Sequence, residues 1–173
     1  FYGIPGGAAA GASDSKLPDM QAGWEKMCTN VMAGLSGLNM VYEAAGMHAS
    51  LLGFCHESLI LGDDIIGQAL RCVKGIEVSD ETLAIERMRE VCLDGPGHYL
   101  GVGDTLARME TDYVYPAFGD RSSPKEWAEN GKPDLIGRAR ARKETILAEP
   151  SRAALDPETD RRIREQFPIK LDP

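Results

Sequence analysis

The chain has 173 residues, of which 43% are hydrophobic and 27% are charged, as is usual for a folded globular protein. Its formal net charge of −8 makes nucleic acid and anionic membranes unsuitable partners. No apolar run reaches the roughly 18 residues of a membrane span, no signal peptide is visible, and the four cysteines lack CxxC spacing, so we expect a cytoplasmic protein with reduced thiols.

The N-terminal quarter of the chain has the pattern of a strand, a glycine-rich loop, an amphipathic helix and a second strand. We predict the first strand near Tyr2 to Pro5, followed by a loop that includes the segment SDSKLPD from Ser13. Asp19 is the expected N-cap of the helix, and Gly37 is expected to end it. The second strand, Leu38 to Glu43, should pair in parallel with the first because a helix connects them. Such units build parallel α/β folds.

Periodicity predicts which side of the helix and of the second strand is covered. Apolar side chains at steps of three and four predict the buried helix face: Trp24, Met27, Cys28, Val31, Met32 and Leu35. In the strand, one set of alternating residues is Leu38, Met40 and Tyr42, and the other is Asn39, Val41 and Glu43. If such units close into a barrel, the first set should face the helices and the second set the interior.

This parity places Glu43 at the carboxyl end of its strand, where barrel enzymes carry their catalytic groups. A carboxylate in water, or one paired with a neighbouring arginine, is the alternative interpretation. Trp24, Tyr42 and Phe54 could form a cation–π box, although Trp24 also fits the predicted helix core.

Helical patterns fill the rest of the chain. The longest predicted helix runs from Glu57 to Lys74 and ends at Gly75. Its predicted buried residues are Leu59, Gly62, Ile66, Ala69, Leu70 and Val73. Later helices are predicted at 79–92, 104–112, 124–130, 133–149 and 156–167, with no strand pattern from Val78 onward. We therefore assign residues 1–77 to the βα units and 78–173 to a helical extension packed on them.

No familiar catalytic or metal motif is present. Cys55, His56 and Glu57 are the only local cluster of metal-binding residue types, and neighbours on a helix point in different directions, so we expect no metal site. GxSxG and GxGxxG are not matched. A basic run, Arg138 to Lys143, is better explained as a solvated helix face than as a site for an acidic partner.

Several separated motifs nevertheless occur in a recognisable order. They are GIPGGAAAGA from Gly3, SDSKLPD from Ser13, QAGWEK from Gln21, LNMVYEAAG from Leu38, FCHESLILGDDIIGQALRCVKGI from Phe54 and GPGHYLGVGDTLARMETDYVYP from Gly95. Together they resemble the trimethylamine methyltransferase family, corrinoid-dependent enzymes that demethylate methylated amines. Family members carry histidine around the positions of Gly103 and Asp104, and this chain does not.

The resemblance implies the C-terminal part of a TIM (β/α)₈ barrel with a helical C-terminal extension. A full barrel needs about 250 residues, so 173 residues could supply only its last units. The implied reaction moves a methyl group from an amine to the Co(I) centre of a separate corrinoid protein, with no cofactor held tightly by this chain. Co(I) is a strong nucleophile, so the enzyme must mainly align the methyl–nitrogen bond and exclude water. The interpretation also allows a homo-oligomer.

The resemblance also bears on the substrate. A quaternary nitrogen leaves as a neutral amine, whereas trimethylamine needs its lone pair engaged, for which the archaeal relatives use pyrrolysine. This chain has no nonstandard residue, and the corresponding position is expected in or near SDSKLPD. A quaternary amine such as a betaine is therefore favoured over trimethylamine.

The residues implied to carry the reaction come from the two strand ends. The predicted catalytic residues are Glu43, Asp14 and Lys16, and the predicted substrate-binding residues are Tyr42, Asn39, Ser13 and His48. We expect Glu43 near the loop from Gly11 to Lys16, with Asn39 deeper on the same side. Two other interpretations remain open: a non-catalytic or partner-docking module of a barrel enzyme, and a barrel enzyme of other chemistry, such as a lyase.

Overall fold

A computed structural model describes residues 3–149 and 155–170, and in these residues eight helices accompany four short strands. The elements are β1 (Gly7–Ala9), α1 (Met20–Leu35), β2 (Met40–Tyr42), β3 (Met47–His48), β4 (Gly53–Phe54), α2 (His56–Lys74), α3 (Asp80–Leu83), α4 (Ile85–Cys92), α5 (Gly103–Thr111), α6 (Pro124–Glu129), α7 (Leu135–Ala148) and α8 (Pro157–Gln166). The mixed α/β class is confirmed. The described residues form two separate two-stranded sheets and no closed barrel.

The parallel β-α-β unit is present, but its first strand lies later in the chain than the pattern predicted. β1 pairs in parallel with β2, with Gly7 opposite Met40. Tyr2 lies outside the described residues, and Gly3 to Pro5 have no strand conformation. The small residues of β1 explain the shift, because the Tyr42 side chain crosses over Gly7. A Cβ atom on that glycine would lie 2.6 Å from the Tyr42 hydroxyl.

The second sheet is a small antiparallel hairpin that the sequence did not reveal. β3 and β4 pair Met47 with Phe54. Three successive non-glycine residues in the connecting loop are left-handed: Ala49, Ser50 and Leu51, with φ of 50°, 55° and 71°. Two-residue strands carry no alternation to recognise, and the loop has no Asn or Gly at these left-handed positions.

α1 packs its small and polar side against the rest of the unit. Its buried residues are Ala22, Lys26, Asn30 and Ala33. Trp24, Met32 and Leu35 are 59%, 63% and 64% exposed. The predicted buried face of this helix is therefore wrong, and so is the core position of Trp24. Small side chains let the helix approach closely, as where Gly34 meets the Val73 side chain.

The predicted faces of the second strand are also wrong. Met40 and Tyr42 lie on an open face, whereas Val41 is half-buried. The alternation stops after Tyr42 because Glu43 is left-handed, with φ of 62°. In α2, Gly62 and Ala69 are buried as predicted, while Leu70 remains exposed.

Helix ends agree well with the sequence signals. Asp19 caps α1, and its carboxylate accepts the N–H of Ala22 at 3.0 Å. Gly75 ends α2, and Ser79 forms a capping box at α3. The helix predicted over 79–92 is interrupted at Ala84, which has φ of 51°. Between α5 and α6, the N–H groups of Ala117 and Phe118 donate to the Asp64 carboxylate of α2, at 2.8 Å each.

The chain separates into two compact units, one ending at Lys143 and one beginning at Glu144. The second unit contains α8, whose N-cap is Asp156. The division predicted after residue 77, with a C-terminal extension packed on a barrel, stays a prediction. Within residues 3–149 and 155–170, none of the helices combines the length and apolar character that crossing a membrane requires.

Candidate functional site

An open depression of about 390 Å³ lies at the carboxyl ends of β1 and β2. Its lining comes from the loop after β1, the end of β2, the β3–β4 loop and one side of α1. The lining residues are Ala9, Ala10, Gly11, Ala12, Ser13, Asp14, Glu25, Thr29, Glu43, Ser50 and Leu51. A parallel sheet places polar strand ends at this edge, which is where α/β folds bind ligands.

The floor of the depression depends on a close contact between two backbone segments. Gly11 follows β1 with φ of 79°, and a Cβ atom there would overlap the carbonyl group of Ala44, after β2. The Gly11 N–H donates to the Thr29 hydroxyl at 2.9 Å. Only glycine allows both the left-handed conformation and the close approach.

Four polar residues of α1 hold these loops, and we call them the polar stripe: Glu25, Lys26, Thr29 and Asn30. The Glu25 carboxylate accepts the Ser13 hydroxyl at 2.6 Å and the Asp14 N–H at 3.0 Å. The Asn30 amide donates to the Ala44 carbonyl at 3.1 Å. Hydrogen bonds from Ser13 and Gln21 lower the pKa of Glu25, so this residue is an acceptor at neutral pH.

Lys26 is the most buried member of the polar stripe, at 3% exposed. Its ammonium group donates to the Gly11 carbonyl at 3.0 Å and to the Met47 carbonyl. Burial lowers the pKa of Lys26, although Cys55 and Glu25 act in the opposite direction. The side chain thus joins the loop after β1 to the start of the hairpin.

His48 lies beneath the loop instead of on the surface of the depression. It is 4% exposed, with Nδ1 3.2 Å from the Ser15 carbonyl and Nε2 2.6 Å from the Ser58 hydroxyl. Because a carbonyl can only accept, Nδ1 carries the proton and Nε2 accepts from Ser58. Burial lowers the pKa of His48, and the Lys26 charge lowers it further. The histidine therefore supports the loop in its neutral form.

Strained backbone surrounds the rim. Glu43 is left-handed, and so is Ser50, whose hydroxyl donates to Asp14 at 2.7 Å. The Ser50 N–H also donates to the Ser13 carbonyl at 3.3 Å. Non-glycine residues held in this conformation cost free energy and cluster at functional sites.

The charged side chains that line the depression are all acidic. Three carboxylates line it, those of Asp14, Glu25 and Glu43, and the lining residues include no Lys or Arg. Lys16 is not among the lining residues, and its ammonium donates to the main-chain carbonyl of Asp14 at 2.9 Å. The depression therefore favours a cationic ligand over an anionic one.

The structure brings together part of the predicted site. Glu43, Asp14 and Ser13 share the depression. Asn39 lies at the opposite end of β2, where its side-chain oxygen accepts the Gly6 N–H at 3.1 Å. The expectation that Asn39 lies deeper on the same side as Glu43 is wrong, because its side chain is exposed and bonded at the amino end of the strands. Tyr42 lies on the open sheet face.

Sequence reasoning missed the polar stripe and Ser50. The available signal was the i, i+4 spacing of Lys26 with Asn30 and of Glu25 with Thr29, which places each pair on one side of a helix. As for metals, residues 3–149 and 155–170 contain no group of three or more His, Cys, Asp or Glu side chains placed to hold an ion.

Comparison with known proteins places the chain in a family. The sequence model described as trimethylamine methyltransferase matches residues 1–170, and the chain therefore belongs to the trimethylamine methyltransferase family. The resemblance inferred from the motifs is confirmed. The match corresponds to the C-terminal part of the relatives.

The relatives carry two substrate names. A glycine betaine methyltransferase of Desulfitobacterium hafniense strain Y51 is 35% identical over 165 residues, covering 95% of this chain and 34% of that protein. A trimethylamine methyltransferase of Methanosarcina barkeri strain Fusaro is 38% identical over 148 residues, covering 85% of this chain and 29% of that protein. The chain thus spans about a third of the length of these curated relatives.

Proposed function

We propose that this chain forms the substrate-facing end of a TIM-barrel methyltransferase that takes a methyl group from a small methylated amine and passes it to a separate corrinoid protein. The observation that carries the proposal is the depression at the strand ends, which is lined by three carboxylates and no cationic side chain. Membership of the trimethylamine methyltransferase family supports the reaction class.

The depression suits a small cation in size and charge. A volume of about 390 Å³ lies in the range of small-molecule sites but does not enclose a corrinoid, which agrees with an acceptor presented by another protein. When bound to its carrier, the corrinoid supplies the methyl-accepting cobalt centre. Glu43 and Asp14 hold the cationic head by charge, and Ser13 keeps the loop in place through Glu25. Fixing the methyl–nitrogen bond in one orientation is the main task of this chain.

Within this reaction we propose a quaternary amine, such as a betaine, over trimethylamine. A quaternary nitrogen departs neutral without assistance, whereas a tertiary amine needs an electrophile. Lys16 is the nearest candidate in the loop, but its ammonium already donates to a carbonyl group and is no electrophile. One relative is named for glycine betaine and another for trimethylamine, so both substrate names occur among the relatives of this chain.

The test uses the full-length protein with Co(I) cobalamin, candidate corrinoid proteins and a panel of amines, read by visible absorbance. Betaines should react faster than trimethylamine. Glu43→Gln should lower methyl transfer by roughly tenfold or more, because each 1.4 kcal/mol of lost cation binding is tenfold. The matched control is Glu129→Gln, an exposed residue of α6 that pairs only loosely with Lys125 at 3.9 Å.

Three results would count against the proposal in different ways. Unchanged kinetics in Glu43→Gln would leave Glu43 with a structural role. Turnover of trimethylamine with inert betaines would overturn the substrate preference. Failure to demethylate any amine with every candidate corrinoid protein present would overturn the methyltransferase function.

A partner-docking module is the second candidate, and the exposed apolar side of α1 favours it. Trp24, Met32 and Leu35 lie on that side and are each more than half exposed. Substituting Trp24→Ser should then abolish binding of the corrinoid protein in a pull-down without changing methyl transfer to free cobalamin. Equal losses in both assays would argue against a separate docking role.

A further inference from the structure

The burial of Lys26 is the least expected feature of α1. The helix leaves large apolar side chains such as Trp24 and Met32 in water while it buries an amine that is 3% exposed. Burying a charged or polar group costs free energy unless partners satisfy it. In the described part of the chain, no carboxylate forms an ion pair with this amine, which donates to two main-chain carbonyl groups, those of Gly11 and Met47.

A purely packing role would be served better by an apolar residue. Methionine has nearly the same volume as lysine and carries no desolvation cost, so it would fill the same space. What lysine adds is a set of N–H donors at the end of a long stem. Even the neutral amine has two N–H groups, which matches the two carbonyl acceptors.

The two carbonyl groups belong to the two segments that shape the depression. Gly11 precedes Ser13 and Asp14, whose contacts with Glu25 and Ser50 set the rim. Met47 begins the hairpin that presents Ser50. A donor that holds both carbonyl groups therefore fixes the distance between the loop and the hairpin.

We infer that Lys26 is a positioning residue of the depression: it holds the loop after β1 against the β3–β4 hairpin and so places Asp14 against Ser50 at the rim. Its kinetic consequence rests on the proposed function. Its structural consequence does not, because the order of the two loops can be measured without any substrate.

The experiment compares three substitutions in the full-length protein: Lys26→Met, Lys26→Gln and Lys125→Met. Methionine keeps the stem and removes the donors, glutamine keeps two N–H groups, and Lys125 is an exposed control on α6. The measurements are the thermal midpoint, amide hydrogen exchange by mass spectrometry, and kcat and KM for methyl transfer. Exchange is followed in peptides that cover residues 9–16 and 43–52.

Lys26→Met should change the thermal midpoint little, because removing a buried amine offsets the cost of leaving the Gly11 and Met47 carbonyl groups without this donor. It should also speed exchange in the two loop peptides by roughly tenfold, the loss expected from two local hydrogen bonds, without changing exchange in α2. In the methyl-transfer assay, kcat should fall by a similar factor and KM should rise, because Asp14 helps to hold the cationic head of the substrate. Lys26→Gln should recover part of the protection, and Lys125→Met should behave as the unmodified protein.

Unchanged loop exchange in Lys26→Met would overturn the inference, and so would faster exchange with unchanged kcat. A lower thermal midpoint in both Lys26 variants, with exchange faster throughout α1 and α2, would make Lys26 a structural residue and also overturn it. If the unmodified protein transfers no methyl group, the proposed function fails, and the exchange data alone decide whether Lys26 positions the loops.

Discussion

α1 and α8 use polar side chains in opposite ways. In α1, the buried residues Lys26 and Asn30 reach backbone groups 21 and 14 residues away along the chain. In α8, Arg161 pairs with Glu158 and Glu165, three and four residues away on the same helix, and these side chains are more than half exposed. The polar groups of α1 therefore organise other segments, whereas those of α8 stabilise the helix that carries them. Substitutions should have large effects in the first region and small effects in the second.

The largest expected effect comes from Gly11→Ala, at the contact that the polar stripe surrounds. The new Cβ atom would overlap the Ala44 carbonyl, and φ of 79° is unfavourable for alanine. We expect a loss of about 2–4 kcal/mol in the free energy of unfolding, measured by urea denaturation. Gly23→Ala is the matched control, because a Cβ atom there meets nothing within 4 Å. That helix position should gain stability, and equal losses at both glycines would contradict the close-contact explanation.

A smaller loss is expected from Asn30→Leu. The substitution removes the amide that donates to Ala44 at 3.1 Å and leaves a carbonyl group without that donor. Leaving such a group unsatisfied costs about 1–3 kcal/mol, so the denaturation midpoint should fall. Asn130→Leu, at an exposed position after α6, should change stability very little. A stability gain in Asn30→Leu would show that apolar burial outweighs the hydrogen bond.

Glu57 forms a long-range ion pair, and the effect of removing it should lie between the effects expected in α1 and in α8. Lys143 donates to it at 2.8 Å, and this contact, together with the N–H at the start of α2, lowers the pKa of Glu57 to about 2. A lowered carboxylate pKa gives stability that is complete above the unfolded value near 4.5 and is lost as the pH falls toward 2.

Glu57→Gln should therefore lower the unfolding free energy at pH 7 and flatten its dependence on pH between 4.5 and 2. Chemical denaturation across that range would show the change in slope. Glu129→Gln, which alters an exposed pair at 3.9 Å, serves as the control. A slope identical to that of the unmodified protein would mean that Lys143 does not stabilise the ionised form.

The smallest effects should lie in α8. Asp156→Ala removes the N-cap that accepts the Thr159 N–H at 2.9 Å and should lower the stability of this helix. Arg161→Gln removes exposed pairs and should cost less, about 0.3–0.5 kcal/mol. Chemical shifts of α8 residues in the full chain would report both changes. A loss at either position as large as that of Asn30→Leu would contradict the contrast with α1.

Local signals in the sequence predicted the helix ends and the parallel strand pair. Asp19 and Gly75 act within one turn of their own helices, so their roles can be inferred from neighbouring residues alone. The proximity of Glu43 to the loop after β1 followed from a general property of parallel sheets. These inferences needed no knowledge of long-range packing.

The buried side of α1 could not be inferred in the same way. Periodicity identifies the apolar side of a helix, and here the side with Trp24 is exposed. The side with Lys26 is buried, and there the amine donates to carbonyl groups that are distant along the chain. The sequence does not show where those carbonyl groups lie. The hairpin loop was missed for a related reason, since Ala49 and Leu51 are left-handed through tertiary context and not through residue preference.

The bonds between the loop and the hairpin have a consequence for the order of folding. The contacts of Ser15 with His48 and of Asp14 with Ser50 join residues 33 and 36 positions apart, whereas the turns of α1 close within four residues. Closing long loops is slower than forming a helix, because chain entropy is lost before the contact is gained. We expect refolding to produce the helices first and the depression at the strand ends last, so that newly made molecules pass through a stage with native helices but an incomplete depression.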